Sequence, residues 1–332
     1  MTLHFSQTRS SLAGMRANVL NEKMSTVLVT GAAGFVGSHT CDLLLSNGHA
    51  VVGVDNFRTG CRSNLDLAFA QPCFKFIEAD CSALRALDQI VVQTKPDALI
   101  HLAALVSVQE SLQDTELNFE LNLRCTHLVA EAARAHRIPR LVFASSAAVY
   151  GEAQTVPLTE QVETRPISPY GAAKLASEAI LLGHAAAYGF TVRCQRYFNV
   201  YGPRQDPKSP YSGVTSIFCH KMRSCLAPVI FGDGEQTRDF IFVQDVARAN
   251  VLAATAPGVS SGIANICSGR STSLNQLAAG LRVHFAESPD PIYTAAKAAD
   301  IRHSLGSPNE AATAFGFRAE VSLAEGLATL AH

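Results

Sequence analysis

Tyr170 and Lys174 stand four residues apart in Tyr170-Gly171-Ala172-Ala173-Lys174, a spacing that stacks a phenol and an ammonium on one helix face. A phenol with an ordinary pKa of about 10 is a poor base at neutral pH. A nearby ammonium stabilises the phenolate, and bringing that pKa near 7 takes roughly 4 kcal/mol. On its own the spacing is also that of a plain surface helix. Upstream, however, lie a serine pair, Ser145 and Ser146, and a glycine-rich segment, Gly31-Ala32-Ala33-Gly34-Phe35-Val36-Gly37. The combination points to proton transfer beside a bound nucleotide.

The glycine segment follows a β-branched run at 27–30 and opens a helical pattern through 41–46. Glycines there permit a tight turn and let a pyrophosphate approach backbone N–H groups at the positive end of a helix. Asp55 ends the next apolar run, where a carboxylate accepts hydrogen bonds from an adenosine ribose and repels a 2′-phosphate. That favours NAD over NADP, although Arg58 nearby argues the other way. Asp80, followed by Cys81, comes after the third run and is either an adenine contact or a turn aspartate.

These residues need a frame, and the pattern supplies one. Apolar runs at 27–30, 51–54, 74–77, 98–101 and 141–144 read as strands, with Ala/Leu-rich helical windows between several of them. Such alternation predicts an α/β fold of the Rossmann type, a doubly wound parallel sheet. Ligands of these sheets sit at the carboxyl ends of the strands, where the motifs fall. After about Tyr201 the texture changes at Gly202-Pro203-Arg204-Gln205-Asp206-Pro207. The expected organisation is a flexible N-terminal extension over 1–23, an NAD-binding domain over 24–200, and a smaller C-terminal α/β substrate-binding lobe over 201–332.

Bulk properties exclude other classes. The 332 residues carry a net charge of −1, so no basic surface asks for nucleic acid. Nine cysteines are scattered without CxxC or a Cys/His cluster, which argues for reduced cytoplasmic thiols and against a disulfide framework or a metal site. Cys81, Cys125 and Cys267 read as small core residues. No run approaches the roughly 18 apolar residues of a membrane span. The segment 1–23 is Ser-rich, with Arg9 and Arg16 and no acid before Glu22. Lacking an apolar stretch, it reads as a tail, or as sequence ahead of a true start at Met24, and not as a targeting peptide.

Taken together, the motifs resemble those of the extended short-chain dehydrogenase/reductase family, specifically its NAD-dependent nucleotide-sugar epimerases and dehydratases. Beyond the glycine segment and Tyr170/Lys174, the likeness rests on four stretches. They are His101-Leu102-Ala103-Ala104, Ser145-Ser146-Ala147-Ala148-Val149-Tyr150-Gly151, Arg196-Tyr197-Phe198-Asn199-Val200-Tyr201-Gly202-Pro203-Arg204, and Gly232-Asp233-Gly234-Glu235-Gln236-Thr237-Arg238-Asp239. The resemblance implies a tightly held NAD that is reduced and reoxidised within each turnover. It implies cofactor contacts from Gly31, Gly34, Phe35, Val36, Gly37, Asp55, Asp80, Cys81, Leu102, Ala103 and Ala104. Asn122 resembles the family asparagine that supports the cofactor region, or is a polar contact inside a helix.

By the same resemblance Tyr170 is the general base on a sugar hydroxyl, and Lys174 holds the nicotinamide ribose and tunes the phenol. Ser146, with Ser145 alongside, hydrogen-bonds the sugar oxygen. Asn199 and Arg238 resemble groups that bind the nucleotide diphosphate, which suits the planar fork of an arginine. Arg204 assists them or pairs with an acid. Phe231 resembles a uracil-packing aromatic, with a core phenylalanine as the alternative.

Family dehydratases carry an Asp-Glu pair directly after the serine/threonine position, and UDP-glucuronate decarboxylases keep a glutamate at the second place. Here the two places hold Ala147 and Ala148, which transfer no proton. The resemblance therefore implies 4-epimerisation of a UDP-sugar. A nucleotide-sugar dehydratase or reductase, or a non-catalytic NAD-binding sensor, are the alternatives. Residues 297–304 resemble a substrate segment written R-x-G-D, with Lys297 and Ala299 departing from it and Asp300 retained. Ser304 falls where epimerases restricted to UDP-glucose carry a tyrosine, leaving room for a 2-acetamido group. Val106 replaces a lysine of the UDP-galactose enzymes, and the loop 204–213 keeps UDP-glucuronate in contention. Residues 103–113 and 170–188 are apolar on more than one helix face. The resemblance implies that they form a homodimer interface, with burial inside a monomer as the alternative.

Overall fold

Val27 and Val29 join one apolar cluster and Leu28 joins another, as the two-residue period of a strand requires when both sheet faces are covered. Their strand, β1 (Thr26–Thr30), is an interior strand of the large sheet. The computed structural model of the chain describes residues 24–83, 85–152, 155–206, 213–296 and 301–331. The extension expected over 1–23 lies outside the described residues.

In chain order the further strands are β2 (Ala50–Asp55), β3 (Phe74–Glu78), β4 (Ala98–His101), β5 (Arg140–Ser146), β6 (Thr191–Tyr197), β7 (Asn199–Tyr201), β8 (Val229–Phe231), β9 (Thr237–Phe242), β10 (Gly262–Ile266), β11 (Ser271–Ser273) and β12 (Ile292–Thr294). Seven form one all-parallel sheet in the order β10-β6-β5-β4-β1-β2-β3. This is the doubly wound Rossmann-type fold. All five strands expected from the sequence are present, some of them one to three residues longer.

Helices cover both faces. In chain order the helices include α1 (Phe35–Ser46), α2 (Asp66–Phe69), α3 (Ala86–Thr94), α4 (Val108–Gln113), α5 (Thr115–Asn118), α6 (Cys125–Ala135), α7 (Pro169–Tyr188), α8 (Val214–Arg223) and α9 (Val243–Thr255), of which α8 packs in the smaller lobe. Leu44 of α1 and Val246 of α9 pack with Val27 and Val29. Ile90 of α3, Val129 of α6 and Leu181 of α7 pack with Leu28 on the opposite face.

Beyond residue 201 the chain runs back and forth. With β7 it builds a three-stranded sheet, β11-β9-β7, and by itself a two-stranded one, β12-β8, around a separate core that includes Tyr201, Phe218, Ile230 and Leu277. In between, α9 returns to pack on α1, and β10 adds the outer strand beside β6. Residues after 201 thus serve both the large sheet and the smaller lobe.

Candidate active site

The turn after β1 is built for close approach. Gly31 sits at φ +71°, and a Cβ there would lie 2.7 Å from the Ala103 nitrogen. On Gly37 a Cβ would lie 2.0 Å from the Gly31 carbonyl oxygen. Only glycine lets the turn and the first turn of α1 pack this closely. At the end of β2, Asp55 accepts hydrogen bonds from the Ala33 and Phe57 N–H groups, at 2.9 and 2.8 Å. Burial pushes its pKa up, and those donors oppose the rise. Arg58 forms an ion pair with Glu110 of α4, so a carboxylate already answers the charge that argued for a 2′-phosphate. Asp80 accepts from the N–H and hydroxyl of Ser82. Burial works against its charge, but the Ser82 donors outweigh it and hold the carboxyl below its ordinary value.

Helix α7 delivers Tyr170 and Lys174. Ser168 caps its start by accepting the Gly171 N–H at 3.1 Å, with Pro169 in the first turn. The Tyr170 N–H, which the helix leaves without an internal partner, donates to the Ser111 hydroxyl of α4. One turn on, the Lys174 ammonium donates to the Ala144 carbonyl at 2.8 Å and lies 4.9 Å from the Phe143 ring centre. A further turn on, Glu178 forms a buried, two-pronged pair with Arg196, at 2.7 and 2.9 Å, and accepts the Ser145 hydroxyl. Three ionisable side chains thus climb one face of α7.

The electrostatics differ from the expectation that Lys174 draws the phenol down. Burial holds Tyr170 above its ordinary value, opposed only by a hydrogen bond with Ser146. Lys174 is directed at Ala144, 5.9 Å from the Tyr170 ring centre. Its own pKa is lowered from 10.5 to about 8 by burial, with the Cys125 and Glu178 side chains opposing. Ser146 also accepts the Ala148 N–H at 3.2 Å, capping the short turn Ala147–Tyr150. It serves the backbone and the phenol together.

These elements surround a cleft of about 1120 Å³ at the carboxyl ends of the strands. Gly31, Gly34, Phe35, Val36 and Gly37 form one part of its wall, and Asp55, Asp80 and Cys81 continue it beyond β2 and β3. Leu102, Ala103 and Ala104 follow β4; Ser145, Tyr170 and Lys174 stand at β5. Asn199 and Arg204 complete the expected set, with Arg204 paired to Asp42 of α1 at 2.8 Å.

The remaining expected residues stand apart from this wall. Asn122 lies in a π-helical turn, Phe119–Arg124, and donates to the Leu105 carbonyl and the Asn118 side chain. Arg238 donates to the Thr237 carbonyl beside it on β9, and Phe231 ends β8 with its carbonyl accepting Gln236. Ser304 is buried, its N–H bonded to the Thr237 carbonyl, so its small side chain opens no space in the described cleft. Asp300 lies outside the described residues. Tyr197, Gln205, Thr215 and Phe240 also line the cleft. Tyr197 sat in a quoted motif; the others had no local signal, because strands and helices far apart in sequence place them there.

A model of the NAD-dependent epimerase/dehydratase family matches residues 27–267. The chain belongs to that family. It is 36% identical to the UDP-glucose 4-epimerase of Mycolicibacterium smegmatis, over 91% of this chain and 96% of that one. Among solved structures, the UDP-glucose 4-epimerase of Thermotoga maritima, with UDP-glucose, superposes with a TM-score of 0.87 at 35% identity. That match covers 92% of this chain and 97% of the other. The UDP-N-acetylglucosamine 4-epimerase of Methanobrevibacter ruminantium, with UDP-N-acetylmuramic acid, gives 0.86 at 33%, covering 92% and 98%.

The cofactor of the family is NAD, and the residues present fit it. Gly31, Gly34 and Gly37 line the cleft without side chains, next to backbone N–H groups at the start of α1. Asp55 is held by two backbone donors with its charge toward the same cleft. Among the described residues no three His, Cys, Asp or Glu side chains group as metal ligands, and no helix is long and apolar enough to cross a membrane.

Proposed function

We propose that this family member interconverts the C4 epimers of a UDP-hexose through a transient 4-keto sugar. The observation that carries the reading is Tyr170 and Lys174 in the cleft wall with the glycine turn, Ser146 of β5 hydrogen-bonded to the Tyr170 phenol, and Ala147 and Ala148 directly after that serine. The Tyr170 phenol is the group we assign as base, while the two places that serve elimination in dehydratases hold methyl groups. The likeness to two kinds of UDP-sugar 4-epimerase supports the same conclusion.

Tyr170 takes the proton of the 4-hydroxyl, and the Ser146 hydroxyl fixes the orientation of that oxygen. Gly31, Gly34, Gly37 and Asp55 would hold NAD, which would supply reversible hydride exchange at C4. Lys174, held by the Ala144 carbonyl, keeps a positive charge near the phenol as it loses its proton. Between the two transfers the ketone turns about the diphosphate and offers its other face. Asn199 and Arg204, both in the cleft wall, anchor the diphosphate; the roles of Arg238 toward the diphosphate and of Phe231 toward the uracil rest on the family resemblance alone. Such turning needs a firmly held nucleotide and a loosely held sugar.

We assign the protein to the cytoplasm as a homodimer. Val108 and Leu112 of α4, Phe119 of the π-helical turn and Tyr188 at the end of α7 are exposed apolar side chains, available to a second copy. Light scattering at micromolar concentration is expected to give twice the chain mass, and a monomer there would refute the assignment.

Proton NMR tests the reaction, with purified protein and UDP-GlcNAc, UDP-glucose or UDP-glucuronate in separate tubes. A new C4 epimer in one tube is the expected result and names the sugar. A 4-keto-6-deoxy product would overturn the reading of Ala147 and Ala148. Silence in all three after adding NAD would overturn the UDP-hexose assignment.

A further inference from the structure

Cys81 and Cys125 meet in the wall of the cofactor cleft. Cys81 follows β3 in the turn that Asp80 and Ser82 close, and Cys125 opens α6. They are 44 residues apart in sequence, yet their sulfurs lie 3.4 Å from each other. Both are free, both are buried, and both line the cleft.

We propose that these two thiols are an oxidation site that closes to an intramolecular disulfide, and that this bond and the cofactor oppose one another. Each thiol gives up its proton, the sulfur–sulfur bond forms, and two electrons leave to an oxidant of the peroxide or small-disulfide class. Hydrogen peroxide takes the two electrons and two protons to become two waters; a small disulfide becomes two thiols. The inference rests on the family's cofactor using this cleft, and not on the reaction proposed above.

Geometry supplies the coupling. A disulfide bond is about 2.05 Å long, so the sulfurs must draw together by about 1.4 Å from their 3.4 Å separation. Rotation of the two side chains takes up part of that distance, and we take the rest to come from the turn carrying Cys81, which brings Asp80 toward α6 with it. Hydrogen bonds tolerate only a few tenths of an ångström, so the wall beyond β3 loses its fit to a ligand. A ligand seated there holds the two elements apart by the same argument. The mutual hydrogen bond and burial hold the Cys125 thiol well above its ordinary value, which makes closure slow at neutral pH. The exposed Cys61 is different, because the Ser63 hydroxyl lowers its pKa. It reacts first with general thiol reagents, and only peptide mapping separates the two.

The test treats purified protein with hydrogen peroxide, with and without saturating NAD, then alkylates remaining thiols and maps peptides without reduction. The expected result is a Cys81–Cys125 linked peptide and an intact mass lower by two hydrogens, both reversed by dithiothreitol. Added NAD slows its formation about tenfold, and the oxidised protein binds NAD about tenfold more weakly by equilibrium dialysis, which is about 1.4 kcal/mol. Cys125→Ser, with Cys125→Ala as a second variant should the first fold poorly, forms no link and shows no oxidant-dependent loss of NAD affinity. Cys61→Ser keeps both. Absence of the linked peptide once Cys61 is modified would overturn the site. A linked protein with unchanged NAD affinity, or a rate indifferent to NAD, would overturn the coupling.

Discussion

Replacing Lys174 by methionine is expected to make the protein more stable at neutral pH while abolishing turnover. Lys174 is buried, and its pKa falls from 10.5 to about 8. At about 1.4 kcal/mol per tenfold, carrying the charge at pH 7 costs the fold about 3 kcal/mol. The sign follows from proton binding. Between pH 8 and 10.5 the unfolded chain binds more protons at this site than the native protein does. Stability therefore rises with pH across that window, and the penalty is complete below pH 8. Methionine removes the penalty but leaves the Ala144 carbonyl without the 2.8 Å donor it now has, a loss of about 1–2 kcal/mol. The net expectation is a variant about 1–2 kcal/mol more stable at pH 7 and less stable than the parent by a similar amount near pH 10.5. Urea unfolding of both proteins, stripped of cofactor and kept under reductant, measures this. Stripping matters because a ligand bound by only one of them would shift its midpoint by mass action. A stability difference that does not change between pH 7 and 10.5 would refute the reasoning, as would a variant less stable at pH 7.

Other expectations concern the same helix. Tyr170→Phe keeps the fold and the bound cofactor but lowers kcat by about 10²–10⁴, the usual contribution of a positioned base; near-normal turnover in the NMR assay would displace Tyr170 from that role. Glu178→Gln leaves the Arg196 guanidinium buried without its counter-charge and destabilises the protein by about 3–5 kcal/mol. Adding Arg196→Met to it recovers most of that loss, and an uncorrected double variant in the same urea assay would show that the pair is not the cause.

Local features were legible in the sequence by itself. The glycine turn, the five strands it adjoins and the Tyr170/Lys174 face follow from steric freedom, apolar period and helical pitch, which act over a few residues. Two strands of the sheet were not legible for the opposite reason. In β6, Arg193, Gln195 and Arg196 break the apolar run, yet all three are buried. Their partners are remote: the Ser260 carbonyl, the Ala249 carbonyl and Glu178. β10 has Gly262 and Asn265 among its five residues, which leaves no continuous apolar run, and is recruited by pairing with β6. The return of α9 and β10 to the large sheet likewise depends on contacts across the whole chain. The site divides along the same line. Residue types and spacing determined that a phenol and an ammonium share a face beside a nucleotide turn. Only the tertiary structure decided that the ammonium is committed to Ala144, that Glu110 answers Arg58, and that Cys81 meets Cys125. Burial and charge are set by what other segments bring alongside, and a sequence read locally does not contain that.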